Sequence, residues 1–287
     1  MDTTKRGLRI RPAAAFAAVI GVGAAAWLLA AGRLPGADLT LAELRSLPPI
    51  YEVLYHRADQ QALLRRAEDQ MVTECMARAG HTYRAGPAAT AEGDALGPRP
   101  FGIEETADLG DGGPALSEPS TPAAPGFAMA LDGDQATRLR VTGESLEITI
   151  PTTGCRAEAE VRLAGANRVP LQEARVALFD AERESLDRLE TDGEYAGLRA
   201  EWAECMKGAG IDAADPAALP VSGPDPAADP GVRADLRCKA DTDFLDRAYR
   251  RMAELQEDVL AETPGLLGRW RDMRADQVAE ARTILSG

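Results

Sequence analysis

The chain has 287 residues, 45% of them hydrophobic and 27% charged, and its formal net charge is −14. This length suits one large domain or two modest ones, and the composition excludes wholesale disorder and a polytopic membrane protein. The acidic balance argues against sequence-independent binding of nucleic acid, because neutralising phosphates requires a basic surface.

The amino-terminal segment predicts a membrane anchor. Residues 13–32 contain no charge, and a helix of about 20 residues rises roughly 30 Å, the hydrocarbon thickness of a bilayer. Four basic residues precede it and only Arg33 follows it closely, so the positive-inside rule places residues 1–12 in the cytoplasm. We therefore expect a transmembrane helix whose partner is the membrane, followed by a membrane-proximal spacer at 33–57.

A cleaved signal peptide is the alternative interpretation of this segment. The apolar region of a signal peptide usually has about 7–15 residues and ends at a small-x-small site. The run here is longer, although residues 30–32, Ala-Ala-Gly, would suit cleavage. No cysteine lies near the run, which excludes a lipoprotein anchor. Either way the rest of the chain is expected outside the cytoplasm, held at the cell membrane by a single pass or secreted.

Most of the acidity belongs to the exported part. Residues 1–37 carry five positive charges and one negative charge, so residues 38–287 hold a formal charge of −18. Net charge of this size keeps a protein soluble without any partner. We therefore favour a solvated acidic surface over a specific cationic partner.

Four cysteines predict two disulfide bonds, because all of them lie on the side of the membrane where disulfides persist. They are Cys75, Cys155, Cys205 and Cys238. Four cysteines permit three connectivities. Since paired thiols are not nucleophiles, we expect structural bonds and no reactive thiol.

An internal repeat favours one of these connectivities. Residues 74–80 and 204–210 share the pattern E-C-M-x-x-A-G, and the other two cysteines share the pattern C-[RK]-A-[DE]. The simplest pairing lies within each copy of the repeat, Cys75 with Cys155 and Cys205 with Cys238. The chain beyond the spacer then divides into two stapled modules, 58–165 and 166–287.

Each copy of the repeat predicts a helix with an inward-facing cysteine, because apolar residues recur every three or four positions. The two stripes are Leu64, Ala67, Met71, Cys75 and Ala79, and Tyr195, Leu198, Trp202, Cys205 and Ala209. Gly80 and Gly210 stand where a left-handed residue would stop each helix. Residues 191–194, Thr-Asp-Gly-Glu, fit a capping box at the start of the second helix.

Other segments complete a mainly α fold, a disulfide-stapled helical bundle with a small β-hairpin. Residues 85–126 hold eight glycines and seven prolines, which predicts a flexible insertion. Alternation over 138–150 predicts the hairpin, and helical spacing predicts a helix over 170–190. Residues 232–262 and 264–285 are expected to form an antiparallel helical hairpin, with Thr263-Pro264 as N-cap and first residue of the last helix.

No catalytic or metal-binding constellation emerges from the sequence. The two histidines, His56 and His81, are not at ligand spacing, and the H-E-x-x-H and G-x-S-x-G motifs are absent. The glycine-acid clusters at 108–113 and 132–134 lack the downstream glutamate of a calcium loop and predict turns. His81 and Tyr83 are expected to pack at a helix exit. We predict no catalytic residue, no metal and no cofactor.

The sequence does not exclude a pair of catalytic carboxylates of the kind that cleaves glycosides, because 46 acidic residues guarantee some pairs at any separation. Most acidic residues lie off the apolar stripes, which predicts a solvated face. Examples beside the stripe of the 170–190 helix are Glu182, Glu184, Asp187 and Glu190.

These residues together resemble an uncharacterised family of secreted or membrane-anchored four-cysteine proteins of high-GC Gram-positive bacteria. The resemblance covers roughly residues 58–285 and is carried by the two E-C-M-x-x-A-G copies, by Thr153-Gly154 before Cys155 and by Trp202. It implies a shared disulfide framework and no assigned activity. The insertion at 85–126 departs from the family in being poor in tyrosine and rich in glycine and proline.

The sequence thus predicts a non-catalytic, membrane-anchored extracytoplasmic protein with a binding or assembly role at the cell envelope. Its partner would be an envelope protein or peptidoglycan. The alternative functions are an envelope hydrolase that uses carboxylates, and a soluble protein secreted after signal cleavage.

Overall fold

The computed structural model describes residues 47–55, 57–85, 98–104, 124–220 and 226–287. The predicted anchor at 13–32, the cytoplasmic segment at 1–12 and most of the spacer lie outside these residues. Within the described ranges no helix combines the length and the apolar character needed to cross a bilayer. The described residues all belong to one compact unit.

The described chain contains nine α-helices and one two-stranded sheet. In chain order they are α1 (Pro49–Leu54), α2 (Ala58–Arg78), α3 (Phe127–Asp132), β1 (Leu139–Thr142), β2 (Glu147–Ile150), α4 (Cys155–Ala164), α5 (Arg168–Glu190), α6 (Gly193–Gly208), α7 (Pro230–Asp241), α8 (Phe244–Ala261) and α9 (Leu266–Ser286). The prediction of a mainly α fold with a small hairpin is confirmed.

Helix α5 is the central element of the bundle. It packs against α8 and α9, and also against α4, α6 and the hairpin. Helix α8 also packs against α6 and α7, whereas α9 also packs against α2 and α4. Helices from the predicted first module, α2 and α4, therefore contact the last helix of the second.

The carboxy-terminal helices differ from the prediction in three ways. The single helix expected over 232–262 breaks at Asp243, which takes a left-handed conformation with φ 49°. The break lets α7 pack against α6 while α8 packs against α5. The last helix begins at Leu266, because Gly265 with φ 77° forms its N-cap and Thr263-Pro264 remain in the preceding turn. The expected hairpin of α8 and α9 is also wrong, since α8 packs mainly on α5, whereas α9 packs on α2, α5 and α4.

The two-stranded sheet confirms the predicted hairpin. The strands are antiparallel, with Leu139 opposite Ile150 and Thr142 opposite Glu147. Side chains at alternate positions point to one face of a strand, and Val141 and Ile150 accordingly pack on Val176 of α5. The hairpin thereby covers the first half of the central helix.

Residues 47–55, which belong to the predicted spacer, pack into the fold. In α1, Ile50, Tyr51 and Val53 are buried. Ile50 and Val53 pack against α5 and α9. Tyr51 packs into the cluster formed mainly by α6, α7 and α8, which we call the main core. A spacer was the wrong prediction for residues 47–55, because an apolar turn of helix gains more from burial than from extension into water.

Part of the predicted flexible insertion is also packed. Phe101 has no exposed surface, and its ring lies 5.0 Å from that of Tyr249 and 5.9 Å from that of Phe244, both in edge-to-face geometry. An aromatic side chain of this size is a strong anchor. The prediction of flexibility over 85–126 is therefore wrong for residues 98–104.

The repeated motif ends both of its helices in the same way. Gly80 and Gly210 have φ angles of 82° and 83°, the left-handed conformation predicted for them. The amide that follows each glycine donates back to the methionine carbonyl, from His81 to Met76 at 2.8 Å and from Ile211 to Met206 at 3.0 Å. This pattern, completed by a bond from each glycine amide, is a Schellman motif.

The buried side of these helices matches the predicted stripes at their first positions and departs from them at the carboxy-terminal ends. Buried as predicted are Leu64, Ala67, Tyr195, Leu198 and Trp202. Met76 and Met206 are fully buried, while each neighbouring cysteine is partly buried and the final alanines, Ala79 and Ala209, are exposed. Helix α2 changes partners along its length, from α9 to α3 and α4, so its buried side rotates. The N-cap of α6 is Asp192, which accepts from the Tyr195 amide at 2.9 Å, and not the predicted Thr191.

Candidate functional site

The four cysteines form two bonds, Cys75 with Cys155 and Cys205 with Cys238, with Cα separations of 5.5 and 5.7 Å. This is the pairing that the repeat predicts. No cysteine in the described chain is free. The sulfur atoms are therefore structural, and the chemistry of the protein must lie elsewhere.

The residues at the predicted turns and helix exit have ordinary structural roles. His81 packs edge-on against Phe127 with ring centres 5.7 Å apart. Asp132 pairs with Arg156 at 3.0 Å, and Asp134 accepts from a backbone amide two residues later. His56 and the 108–113 cluster lie outside the described residues, within which no group of potential metal ligands occurs.

A buried ion pair that the sequence analysis missed lies in the main core. Lys239 Nζ donates to Asp235 Oδ2 at 2.8 Å and to the backbone carbonyls of Phe101 and Ile103 at 2.8 and 2.6 Å. The Trp202 indole donates to the other oxygen of Asp235 at 2.9 Å. Burial raises the pKa of Asp235, and the ammonium group opposes that rise. The three ammonium donors all have partners, so this cluster fastens the Phe101 segment to α7.

A second buried carboxyl contradicts the prediction of a solvated face. Glu182 is 3% exposed and accepts from the Tyr55 hydroxyl at 2.7 Å. Burial raises the pKa of Glu182, while the hydrogen bond from Tyr55 lowers it. The prediction failed here because α1 covers this part of α5. Its companions are exposed as predicted, namely Glu184, Asp187 and Glu190.

The most distinctive cavity lies between α1, the start of α2 and α9, and has a volume of about 370 Å³. Pockets for small molecules typically measure about 300–1,000 Å³. One part of its wall is apolar and the other is cationic. The lining residues are Val53, Arg57, Gln60, Trp270, Arg271, Arg274, Ala275, Val278 and Arg282. We call it the arginine pocket.

Helix α9 supplies most of this wall through its periodicity. Trp270, Arg274, Val278 and Arg282 follow one another at intervals of four, and residues with this spacing lie along one side of a helix. The indole of Trp270 donates to the Val53 carbonyl at 3.4 Å, which joins α1 to α9. The same side of α9 therefore packs the core and presents guanidinium groups.

The charges of the arginine pocket are only partly neutralised. Glu52 stands at the rim and pairs through one oxygen with Arg57 and through the other, at 3.1 Å, with Arg271. Arg274 and Arg282 have no carboxylate partner among the described residues. Four arginines and one glutamate leave a formal charge of +3 around the cavity.

Arg274 is the most perturbed of these groups. It is partly buried, and its guanidinium carbon lies 5.6 Å from the centre of the Trp270 ring. Among the described residues, its side-chain hydrogen-bond partner is Gln277, whose Oε1 accepts at 2.9 Å. Burial lowers the pKa of Arg274, and the nearby charge of Arg175 lowers it further. An anion beside Arg274 would relieve both effects.

The arrangement is suited to binding anions. Guanidinium groups bind carboxylates and phosphates through paired, charge-assisted hydrogen bonds. The described residues that line the cavity include no carboxylate, histidine or cysteine. General bases and nucleophiles are usually drawn from those types.

The sequence predicted a last helix over 264–285, which includes the pocket residues of α9, but it did not predict a pocket. The one available signal was the recurrence of arginine at positions 271, 274 and 282 beside an apolar stripe. The other wall comes from Val53 and Arg57, more than 200 residues away, and no local pattern connects the two.

No protein-family model matches this chain, and no curated protein or solved structure matches it either. The resemblance to a four-cysteine family therefore stays a prediction, based on the repeat and its cysteine order.

Proposed function

We propose that this protein is a non-catalytic extracytoplasmic binding protein of the cell envelope, and that the arginine pocket binds an anionic component of that envelope. Residues 13–32 hold it at the membrane, with residues 1–12 in the cytoplasm. The two disulfide bonds support an oxidising compartment.

The observation that carries the proposal is Arg274. A partly buried guanidinium without a carboxylate partner, in a cavity with three further arginines, is costly unless an anion compensates it. The chain as a whole carries −14, so its general field repels anions. Attraction of an anion therefore requires a local cationic site of this kind.

The test is binding of the full-length protein, purified in non-ionic detergent, to isolated cell envelopes of its native host. We expect saturable binding that weakens with salt and falls at least tenfold in Arg274→Gln. Arg269→Gln is the matched control, because Arg269 lies on the same helix, is exposed, and donates to a backbone carbonyl outside the pocket. Equal binding by the two variants would refute the proposal.

The enzymatic alternative has one carboxyl pair in its favour, Glu68 and Glu160. Burial raises the pKa of Glu68, and the neighbouring charge of Glu160 raises it further. Glu160 accepts from Arg168 at 2.7 Å. Release of sugar fragments from purified cell wall, abolished in Glu68→Gln, would favour this second function.

A further inference from the structure

We propose that the ligand of the arginine pocket is an organic phosphate, with its phosphate group held by Arg57, Arg271 and Arg274 and its organic part against Trp270. This inference rests on the proposed function and specifies the ligand class of the same site.

The first step in the argument is the convergence of three guanidinium groups. Glu52 accepts from the Nη2 atoms of Arg57 and Arg271 with its two carboxylate oxygens, which holds these side chains near each other. Arg274 follows Arg271 by three residues on α9, and side chains at this spacing are neighbours on a helix surface. Three arginines thus line the same cavity.

Glu52 organises this end without saturating it. A guanidinium group has five N–H donors, and only the Nη2 atoms of Arg57 and Arg271 contact Glu52 in the described structure. Further donors on both side chains can therefore reach a ligand. The Glu52 carboxylate orders the guanidinium groups of Arg57 and Arg271 before a ligand binds, which lowers the entropic cost of binding.

Charge distinguishes phosphate from carboxylate. Arg57, Arg271 and Arg274 with Glu52 carry a formal charge of +2. A phosphate monoester carries about −1.5 to −2 near pH 7 and offers three acceptor oxygens. One carboxylate neutralises half of that charge and offers two oxygens, so a phosphate monoester matches the site in both respects.

The apolar wall requires more than an inorganic ion. Val53, Trp270 and Val278 line the same cavity, whose volume of about 370 Å³ lies within the range of small-molecule sites. Arg282 lies two helical turns beyond Arg274, about 12 Å along the axis, at the other end of this wall. A ligand that fills the cavity therefore combines a phosphate with an organic substituent.

The experiment measures the binding of defined probes to the full-length protein in non-ionic detergent by titration calorimetry. Phenyl phosphate should bind more tightly than inorganic phosphate, because only the ester covers the apolar wall, and at least tenfold more tightly than benzoate. Arg274→Gln should weaken phenyl phosphate binding about ten- to a hundredfold, and Arg269→Gln should leave it unchanged. Thermal unfolding of both variants checks that they fold.

The source of the phosphate is resolved by competition with vesicles. Phosphatidylcholine vesicles containing phosphatidic acid should displace phenyl phosphate if the natural ligand is a lipid headgroup, whereas binding of the soluble ester without displacement indicates a soluble phosphate. Both results support an organic phosphate. Benzoate binding as tightly as phenyl phosphate would overturn this inference and leave the proposed anion binding intact. If neither probe binds and Arg274→Gln binds envelopes normally, both proposals fail.

Discussion

Replacing Lys239 by methionine tests how the Phe101 segment is held in the core. Lys239→Met keeps most of the side-chain volume but leaves the Asp235 carboxylate, which is 0% exposed, with only the Trp202 indole among its described side-chain partners. It also removes the donor to the carbonyls of Phe101 and Ile103. Removing one partner of a buried ion pair costs about 3–5 kcal/mol. We expect a loss of that size in the free energy of unfolding.

The assay is urea unfolding followed by circular dichroism, with Asp235→Asn/Lys239→Met as the matched control. The double variant has no charge at positions 235 and 239, so it should recover a large part of the free energy of unfolding that Lys239→Met loses. Protonation of Asp235 neutralises its charge in the single variant, so the gap from the wild-type protein should narrow as the pH falls. The reasoning is refuted if Lys239→Met loses less than about 1 kcal/mol, or if the double variant is no more stable than the single one.

Four further substitutions test other parts of the fold. Burial raises the pKa of Glu182 above its ordinary value, so its ionisation destabilises the folded state as the pH rises through the folded-state pKa. Glu182→Gln should therefore match the wild-type protein at low pH and exceed it in thermal stability at pH 7–8, because the amide oxygen can still accept from Tyr55. Phe101→Ala should cost about 3–5 kcal/mol in urea unfolding and increase amide exchange in residues 98–104. Gly210→Ala should cost about 1 kcal/mol because its φ is +83°, whereas Gly197→Ala, inside α6, should stabilise the protein by about 0.5–1 kcal/mol.

Each of these substitutions has an outcome that contradicts it. A stability difference for Glu182→Gln that does not change with pH would mean that its carboxyl is not desolvated. Normal exchange protection in Phe101→Ala would show that the segment is held without its aromatic ring. The two glycine variants control each other, since neither alanine Cβ meets an atom within 4 Å. Effects of the same sign would therefore exclude backbone conformation as the cause.

The features that were predictable from sequence are those encoded locally or by repetition. Gly80 and Gly210 stop their helices through their own conformational freedom, so six or seven residues specify each helix end. The pairing of Cys75 with Cys155 followed from the similarity of the two modules. The hairpin was readable because alternation at 138–150 requires no knowledge of what covers it.

The features that sequence could not predict depend on contacts between distant segments. Phe101 lies among glycines and prolines, and only the aromatic side chains of α6 and α8 make its burial favourable. The sequence pattern predicts an exposed Glu182, whereas in the fold α1 covers this side chain. The arginine pocket likewise requires Val53 and Trp270 to meet across 217 positions of sequence. Propensity and periodicity describe single elements and do not identify such partners.

The position of α1 links the arginine pocket to the stability of the fold. Helix α1 forms one wall of the cavity through Val53, and α9 forms the opposite wall. The two helices are joined where the Trp270 indole donates to the Val53 carbonyl. A ligand that contacts both walls would hold α1 on α9, so filling the pocket would also raise the free energy needed to detach α1 from the bundle.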